Sequence, residues 1–156
     1  MLVLVRDLRY APAMVWEALT DPAQLCEWAP FDADRNLGTE GVTVRLTWAG
    51  TSNISEARVT RAEAPKLLEF HDIRWELEPR GSGTRLTLWH AIDRRYIAMG
   101  AAGWHICLDV LDRLVAGRPL GRIVGGEAMK FGWPRLNKEY AAQFGVEPMS
   151  PPGASQ

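Results

Sequence analysis

Apolar and polar residues alternate with a helical period of about 3.6 between Gly100 and Gly117, which predicts one long amphipathic helix. Gly117 ends the pattern, and Pro119 just beyond it cannot extend the helix. One side of this helix carries Trp104, Cys107, Leu108, Leu111, Leu114 and Val115, and the opposite side carries His105, Asp109, Asp112 and Arg113. An apolar side this wide needs a broad partner. Because most of the preceding chain has the pattern of strands, we expect that partner to be a sheet.

The first thirty residues predict one strand followed by two short helices. Residues 2–10 are dense in Leu and Val, and Ala11-Pro12 interrupts them. Pro12 suits the first turn of a helix, which we expect over residues 13–19. Asp21 is placed to cap a second helix that Pro22 opens and that ends near Trp28.

From about residue 35 to residue 92 the period changes to two, which is typical of half-buried strands. We expect turns at 49–52, 64–65, 71–72 and 80–83. The pattern therefore predicts five or six consecutive antiparallel strands, each with one apolar face. The expected strands are 42–48, 53–62, 66–71, 73–78 and 85–92.

The rest of the chain predicts an extension of the same domain. A Gly-rich connector covers 118–126, and a last helix is expected over 134–144 with Gly145 as its stop. By length the chain is one domain, which we place at 1–145, with 118–145 packed on it as a C-terminal extension. Residues 146–156 lack an apolar period and are expected to be a disordered tail.

Composition and charge narrow the function classes. The formal net charge is -1, so we expect neither nucleic acid nor a membrane surface as a partner. The apolar run 1–5 ends at Arg6 and is too short for a signal peptide core. Cys26 and Cys107 form no metal-type spacing, and we expect two reduced thiols in the core of a cytoplasmic protein. No cofactor is expected.

Two motifs resemble a known superfamily. The run from Ala11 to Pro22, APAMVWEALTDP, followed by Leu25 and Trp28, is similar to the opening of START-like or SRPBCC proteins, also called Bet v 1-like. Gly103-Trp104 with the leucines that follow it resembles the C-terminal helix of the same proteins. The most similar group is the one named after the C-terminal domain of the activator of heat-shock protein 90 ATPase. The resemblance covers about residues 1–145, and the final helix resembles an extension found in a subset of that group.

The resemblance implies an α+β helix-grip fold, in which about seven antiparallel strands curl around the long helix and leave an internal cavity. Members of the superfamily bind lipids, hormones or polyketides there, and some are small enzymes. The family name implies a co-chaperone, but 156 residues leave no room for the separate chaperone-binding domain of the eukaryotic activator. Fold resemblance alone does not give function.

Strand and helix faces predict which side chains would meet in such a space. They could line an apolar pocket or simply fill the core, and both interpretations stay open. The predicted ligand-binding residues are Trp28, Leu46, Trp48, Phe70, Trp75, Leu77, Leu88, His90, Trp104 and Leu108. Trp89 has the opposite parity and is expected under the extension or on a contact surface.

The histidines are the candidates for chemistry. His90 shares the parity of the inward leucines, so it is either a hydrogen-bonded core histidine or a group that orients a ligand or acts as a base. His105 is the second candidate base. It precedes Asp109 by four residues, but Asp109 also precedes Arg113 by four, an ordinary surface pair. A metal site would need a third ligand, so none is predicted. His71 is expected in a turn.

Three functions remain open. The first is a binding module for a small, largely apolar molecule, with His90 orienting it. The second is a small enzyme of cyclase, dehydratase or hydrolase type that uses the same pocket, with His90 or His105 as base. The third is a co-chaperone or protein-interaction module that uses Trp89, Trp133 and the extension, and it leaves a homodimer open.

Overall fold

The computed structural model describes residues 1–49, 52–123, 128 and 131–147. Within these residues the chain forms seven antiparallel strands and four α-helices. The predicted turn at 49–52 therefore lies partly outside the described residues, as does the predicted tail from 148 onward. The elements are β1 (Leu2–Leu8), α1 (Pro12–Thr20), α2 (Pro22–Trp28), β2 (Phe31–Ala33), β3 (Thr43–Trp48), β4 (Ile54–Glu63), β5 (Leu67–Phe70), β6 (Ile73–Arg80), β7 (Gly83–His90), a 3₁₀ turn (Arg94–Tyr96), α3 (Ile97–Val115) and α4 (Trp133–Phe144).

The strands form one sheet in the order β1-β7-β6-β5-β4-β3-β2, and every neighbouring pair is antiparallel. The sheet curls around α3, which confirms the predicted helix-grip architecture. The periodicity did not predict strand β2, because its three residues are too few to establish a period of two. It pairs with β3 at one edge of the sheet, while β1 forms the other edge.

The two short helices after β1 follow from their terminal residues. Pro12 is the first residue of α1, where its missing N–H costs no hydrogen bond. The Asp21 carboxylate accepts a hydrogen bond from the backbone N–H of Ala23 at 3.0 Å, so Asp21 caps α2 as predicted. The side chains of Leu25 and Trp28 on α2 are buried, which directs α2 toward the interior.

Helix α3 ends as its sequence predicts. Gly117 has a φ of 75°, and its N–H donates to the Leu114 carbonyl while the N–H of Arg118 donates to the Arg113 carbonyl. This is the hydrogen-bond pattern of a Schellman motif, in which glycine avoids the strain that a Cβ causes in the left-handed region. The helix begins earlier than the apolar pattern indicated, at Ile97.

The side of α3 away from the sheet differs from the prediction. Ile106 and Val110, which the prediction assigned to neither side of the helix, are buried there at 4% and 1% exposure. The cause is α4, which packs along α3 and covers this side. The predicted apolar side does face the sheet: Trp104, Cys107, Leu108, Leu111 and Val115 are buried and Leu114 is partly buried.

Gly83 lies where β7 passes close to the end of β1. A Cβ on Gly83 would collide with the backbone carbonyl oxygen of Leu8. Only glycine therefore allows the β6–β7 hairpin to sit against the end of β1 at this point. The hairpin turn predicted at 80–83 is confirmed.

Two smaller expectations are settled by burial. Cys107 is buried, but Cys26 is exposed on α2, so the expectation of two core thiols is wrong for Cys26. Trp133, which was proposed for a docking surface, is only 7% exposed and belongs to the hydrophobic core. Among the described residues, no helix combines the length and apolar character needed to cross a bilayer.

Candidate functional site

Three tryptophans from three different elements meet between the sheet and α3. Trp28 ends α2, Trp75 points inward from β6, and Trp104 lies on the sheet-facing side of α3. The ring centroids are 6.0 Å apart for Trp28–Trp75, 5.5 Å for Trp75–Trp104 and 6.5 Å for Trp28–Trp104. The first two contacts are edge-to-face, the arrangement that aromatic quadrupoles prefer. We call these three residues the tryptophan cluster.

His90 lies at the margin of the tryptophan cluster, at the end of β7. The Trp104 indole Nε1–H donates a hydrogen bond to His90 Nδ1 at 2.9 Å, and the two rings are nearly perpendicular. The pKa of His90 is lowered to about 4, mainly by burial, while smaller effects of Asp72 and His71 raise and lower it respectively. His90 is therefore a neutral imidazole at physiological pH, which fits the inward direction predicted from strand parity.

A second aromatic group is formed by one residue each of β2, β3 and β5. Phe31 contacts Trp48 of β3 at 5.4 Å and Phe70 of β5 at 5.9 Å between ring centroids, both edge-to-face. Trp48 and Phe70 were predicted to bind ligand. Phe31 was missed, because it belongs to the short strand β2 that has no periodicity signal.

The predicted ligand-binding residues thus lie on the inner side of the sheet, on the facing side of α3 and, for Trp28, at the end of α2. Trp48 and His90 are partly buried, whereas the other members are 0–4% exposed and belong to the hydrophobic core. These buried side chains all belong to one packed hydrophobic cluster. The buried members are Trp28, Leu46, Phe70, Trp75, Leu77, Leu88, Trp104 and Leu108.

A polar cluster lies on the opposite side of α3. His105 Nδ1 is 2.8 Å from the Tyr140 hydroxyl of α4, and Arg6 Nη1 of β1 is 2.6 Å from Asp109 Oδ1. His105 Nε2 is 3.7 Å from Asp109 Oδ2. Burial raises the pKa of Tyr140, so its hydroxyl stays protonated, and its ring stacks on Phe144 at 5.7 Å. We call Arg6, His105, Asp109 and Tyr140 the outer polar cluster.

The two histidines proposed as bases lie on opposite sides of α3. His105 is held between α3 and α4, so the structure does not bring it into the tryptophan cluster. The expected pair of Asp109 with Arg113 is also not the ion pair that forms, since Arg6 is the partner of Asp109. Arg6 shares the parity of Leu2, Leu4 and Leu8, a signal that sequence reasoning could have used. Among the described residues, no three His, Cys, Asp or Glu side chains come together as a metal site would require.

The connector after α3 is tied to α2 and β2 through Arg122. Its Nη2 lies 3.3 Å from the Leu25 carbonyl oxygen, 3.0 Å from that of Phe31 and 2.6 Å from Asp32 Oδ1. The first of these carbonyls is in the last turn of α2, where a cation is favourable. Nothing in the Gly-rich connector sequence pointed to this contact. The neighbouring Cys107 thiol is unreactive, because burial raises its pKa to about 12.

A protein-family model matches most of the chain. The model of the Activator of Hsp90 ATPase homolog 1-like protein family matches residues 9–116, which is more than half of the chain. The chain belongs to this family. The resemblance read from the two motifs is therefore confirmed. No curated protein matches the sequence.

Solved structures share the fold of this family member at low sequence identity. CalU16 from Micromonospora echinospora aligns with a TM-score of 0.69 and 22% identity, over 91% of this chain and 86% of its own. MLL2253 from Mesorhizobium loti gives 0.66 and 22%, over 76% and 98%. DynU16, described as a protein of the dynemicin biosynthetic locus, gives 0.64 and 23%, over 76% of this chain and 48% of its own. Residues 1–117, which precede the extension, are 75% of the 156 residues. Because the match to CalU16 covers 91% of the chain, it includes part of the extension.

Two surface grooves lie away from the tryptophan cluster in this family member. One, of about 280 Å³, is lined mainly by charged side chains of the sheet, including Lys66, Arg74 and Arg85. The other, of about 300 Å³, lies at Arg94, Arg95, Val146 and Glu147. Leu77 is the one predicted ligand-binding residue that contributes to either lining. The mixed charges of the first groove do not fit an apolar ligand.

Proposed function

We propose that this protein binds a small, largely apolar molecule between the inner face of the sheet and α3. The observation that carries the proposal is a cluster of three tryptophans, one of which is hydrogen-bonded to a neutral histidine. Sites for small organic molecules are lined mainly by apolar and aromatic side chains, with few polar groups that set orientation. The tryptophan cluster with His90 has this composition, and the second aromatic group around Phe31 extends it toward β2.

Entry of a ligand would require these side chains to separate, since most of them are at most 4% exposed. The cluster is assembled from α2, β6 and α3, so a small displacement of α2 would open it. Arg122 is the tie that would resist such a displacement, because it holds the connector to the end of α2 and to β2.

The family and its neighbours support the same function at the level of the fold. The likeness to DynU16, from a biosynthetic locus, agrees with a small organic molecule as the ligand. The alternatives are a small enzyme of cyclase, dehydratase or hydrolase type in the same pocket and a co-chaperone or interaction module. Burial of Trp133 and the position of His105 outside the cluster both weaken the alternatives that used them.

Indole N–H signals in an ¹⁵N NMR spectrum provide the test. The chain has seven tryptophans, and each signal can be assigned by a Trp→Phe variant. Titration with 2-ethylnaphthalene, a neutral apolar probe without hydrogen-bonding groups, should shift the signals of Trp28, Trp75 and Trp104 saturably. Trp89 is the matched control, because it lies on the outer face of β7 opposite in parity to His90.

Saturable shifts confined to Trp89, or no saturable shift at all, would contradict the proposal. Native mass spectrometry of mildly purified protein adds an independent readout. A defined mass that organic solvent releases would supply the chemical class of the natural ligand.

A further inference from the structure

The hydrogen bond between Trp104 and His90 determines which nitrogen of His90 carries the proton. An indole Nε1–H can only donate, so His90 Nδ1 must accept with its lone pair at 2.9 Å. A neutral imidazole carries one proton on its two nitrogens, and that proton must then be on Nε2. The donor-only chemistry of Trp104 thus selects one of the two neutral tautomers.

Protonation of the ring would break this arrangement. A second proton on Nδ1 would place two N–H donors against each other across the same 2.9 Å contact. Burial also disfavours the charged form and lowers the pKa of His90 to about 4. The charged or titratable neighbours that act on His90 are Asp72 and His71, in the exposed turn between β5 and β6, and their effects oppose each other.

The Nε2–H is left available. Among the residues the structure describes, Trp104 is the one hydrogen-bond partner of the His90 ring. His90 is also only partly buried, unlike the tryptophan that orients it. A partly buried donor at the margin of an apolar cluster is satisfied when an acceptor atom meets it.

We infer that His90 is the donor that orients the ligand of the proposed site, and that the ligand is an apolar molecule carrying a carbonyl, ester or ether oxygen. This inference rests on the proposed function and adds the ligand's polar chemistry to it. His90 presents an N–H and no free lone pair, so it selects an acceptor and rejects an ammonium or another donor group. For the same reason His90 is not a general base while the Trp104 hydrogen bond is present, which removes the base that the enzyme alternative assigned to it.

The tautomer is tested without any ligand. Long-range ¹H–¹⁵N correlation spectra of histidine side chains distinguish the two neutral tautomers and the imidazolium, and loss of one signal set in His90→Asn assigns His90. We expect the Nε2–H tautomer throughout pH 8 to 5.5 in the full chain. An Nδ1–H tautomer, or an imidazolium at pH 6, would overturn the inference whatever the ligand.

The ligand class is tested with two probes of the same shape, 2-acetonaphthone and 2-ethylnaphthalene. One added hydrogen bond should make the ketone bind about five- to tenfold more tightly to the wild-type protein. The His90→Asn variant is the matched change, since its amide oxygen can take the place of Nδ1 and keep Trp104 bonded while no atom replaces Nε2. We expect it to lose the preference for the ketone and to bind the hydrocarbon as before.

The outcomes separate the two proposals. If both probes bind with equal affinity to wild type and variant, the proposed function stands and the role of His90 is overturned. If neither probe binds saturably, the proposed function fails together with the ligand class, while the tautomer spectrum still decides the state of His90. A ketone preference that persists in His90→Asn would show that the Nε2–H is not the donor and would also overturn the inference.

Discussion

The two sides of α3 hold a histidine in opposite ways, although their key residues are adjacent in the sequence. Trp104 points toward the sheet and donates to His90, whereas His105 points the other way and contacts the Tyr140 hydroxyl. The inner histidine has an indole as its partner and an apolar surrounding. The outer one sits among Arg6, Asp109 and Tyr140.

The difference teaches that the partner, and not the residue type, decides what a histidine can do. Around His90 a donor-only indole and burial leave one neutral tautomer. At His105 the hydroxyl of Tyr140 can donate or accept, and the Asp109 carboxylate is 3.7 Å away. The inner histidine is therefore suited to orient a ligand, and the outer one to attach α4 to α3.

Removal of the Trp104 side chain, on the inner side of α3, should reduce the free energy of unfolding the most. Trp104→Ala deletes a ring that contacts Trp28, Trp75 and His90 and leaves a cavity, so we expect a loss of about 3–5 kcal/mol in the free energy of unfolding. His105→Ala, next to it on the outer side, should cost about 1 kcal/mol, because it removes a partly exposed hydrogen bond. Urea unfolding at pH 7.5 measures both.

Trp104→Phe controls for the loss of the ring, since it keeps an aromatic side chain while removing the N–H donor. Its stability should fall between those of the wild-type protein and Trp104→Ala. If Trp104→Ala and His105→Ala reduce the free energy of unfolding equally, the inner side of α3 is not more tightly packed than the outer side.

Protonation of His90, on the inner side of α3, should change the free energy of unfolding by a smaller amount. The folded pKa of His90 is about 4 and the ordinary value is 6.5, so between these values the unfolded chain binds more protons than the folded one. Stability contributed by His90 therefore falls as the pH drops from 6.5 toward 4 and is constant above that range. After allowance for the partial exposure of the ring, we expect the fall to reach about 1–2 kcal/mol.

The comparison of wild type with His90→Asn isolates this contribution from the carboxylates that titrate in the same range. Urea unfolding at intervals from pH 4.5 to 8 should show a steeper loss in wild type below pH 6.5 and parallel curves above pH 7. Parallel curves over the whole range would contradict the depressed pKa.

The outer polar cluster should give the smallest effects. Tyr140→Phe keeps the stacking on Phe144 but removes the hydroxyl from His105, and we expect a loss of about 0.5–1.5 kcal/mol. Asp109→Asn weakens an ion pair whose carboxylate is 56% exposed, so its cost should be below about 1 kcal/mol and should shrink further in high salt. Thermal unfolding at two salt concentrations measures both, and a salt-independent loss in Asp109→Asn would contradict the surface ion pair.

Local signals explain why much of the architecture was predictable. The cap at Asp21, the stop at Gly117 and the stop at Gly145 each depend on a residue whose backbone or side-chain chemistry acts within a few positions. The inward faces of β3, β6 and β7 follow from strict alternation, which is why Leu46, Trp75 and Leu88 were placed correctly. Strand β2 was missed because three residues carry no period.

The sequence by itself determined the order of the elements other than β2, the sheet-facing side of α3 and the inward direction of His90, since period and parity depend only on neighbouring positions. Only the tertiary structure decided the partners: Trp104 for His90, Tyr140 for His105, Arg6 for Asp109, and the end of α2 for Arg122. These contacts join residues that are 14 to 103 positions apart. No local pattern encodes such a pair, because its distance depends on how the sheet curls around α3 and how α4 packs on the opposite side.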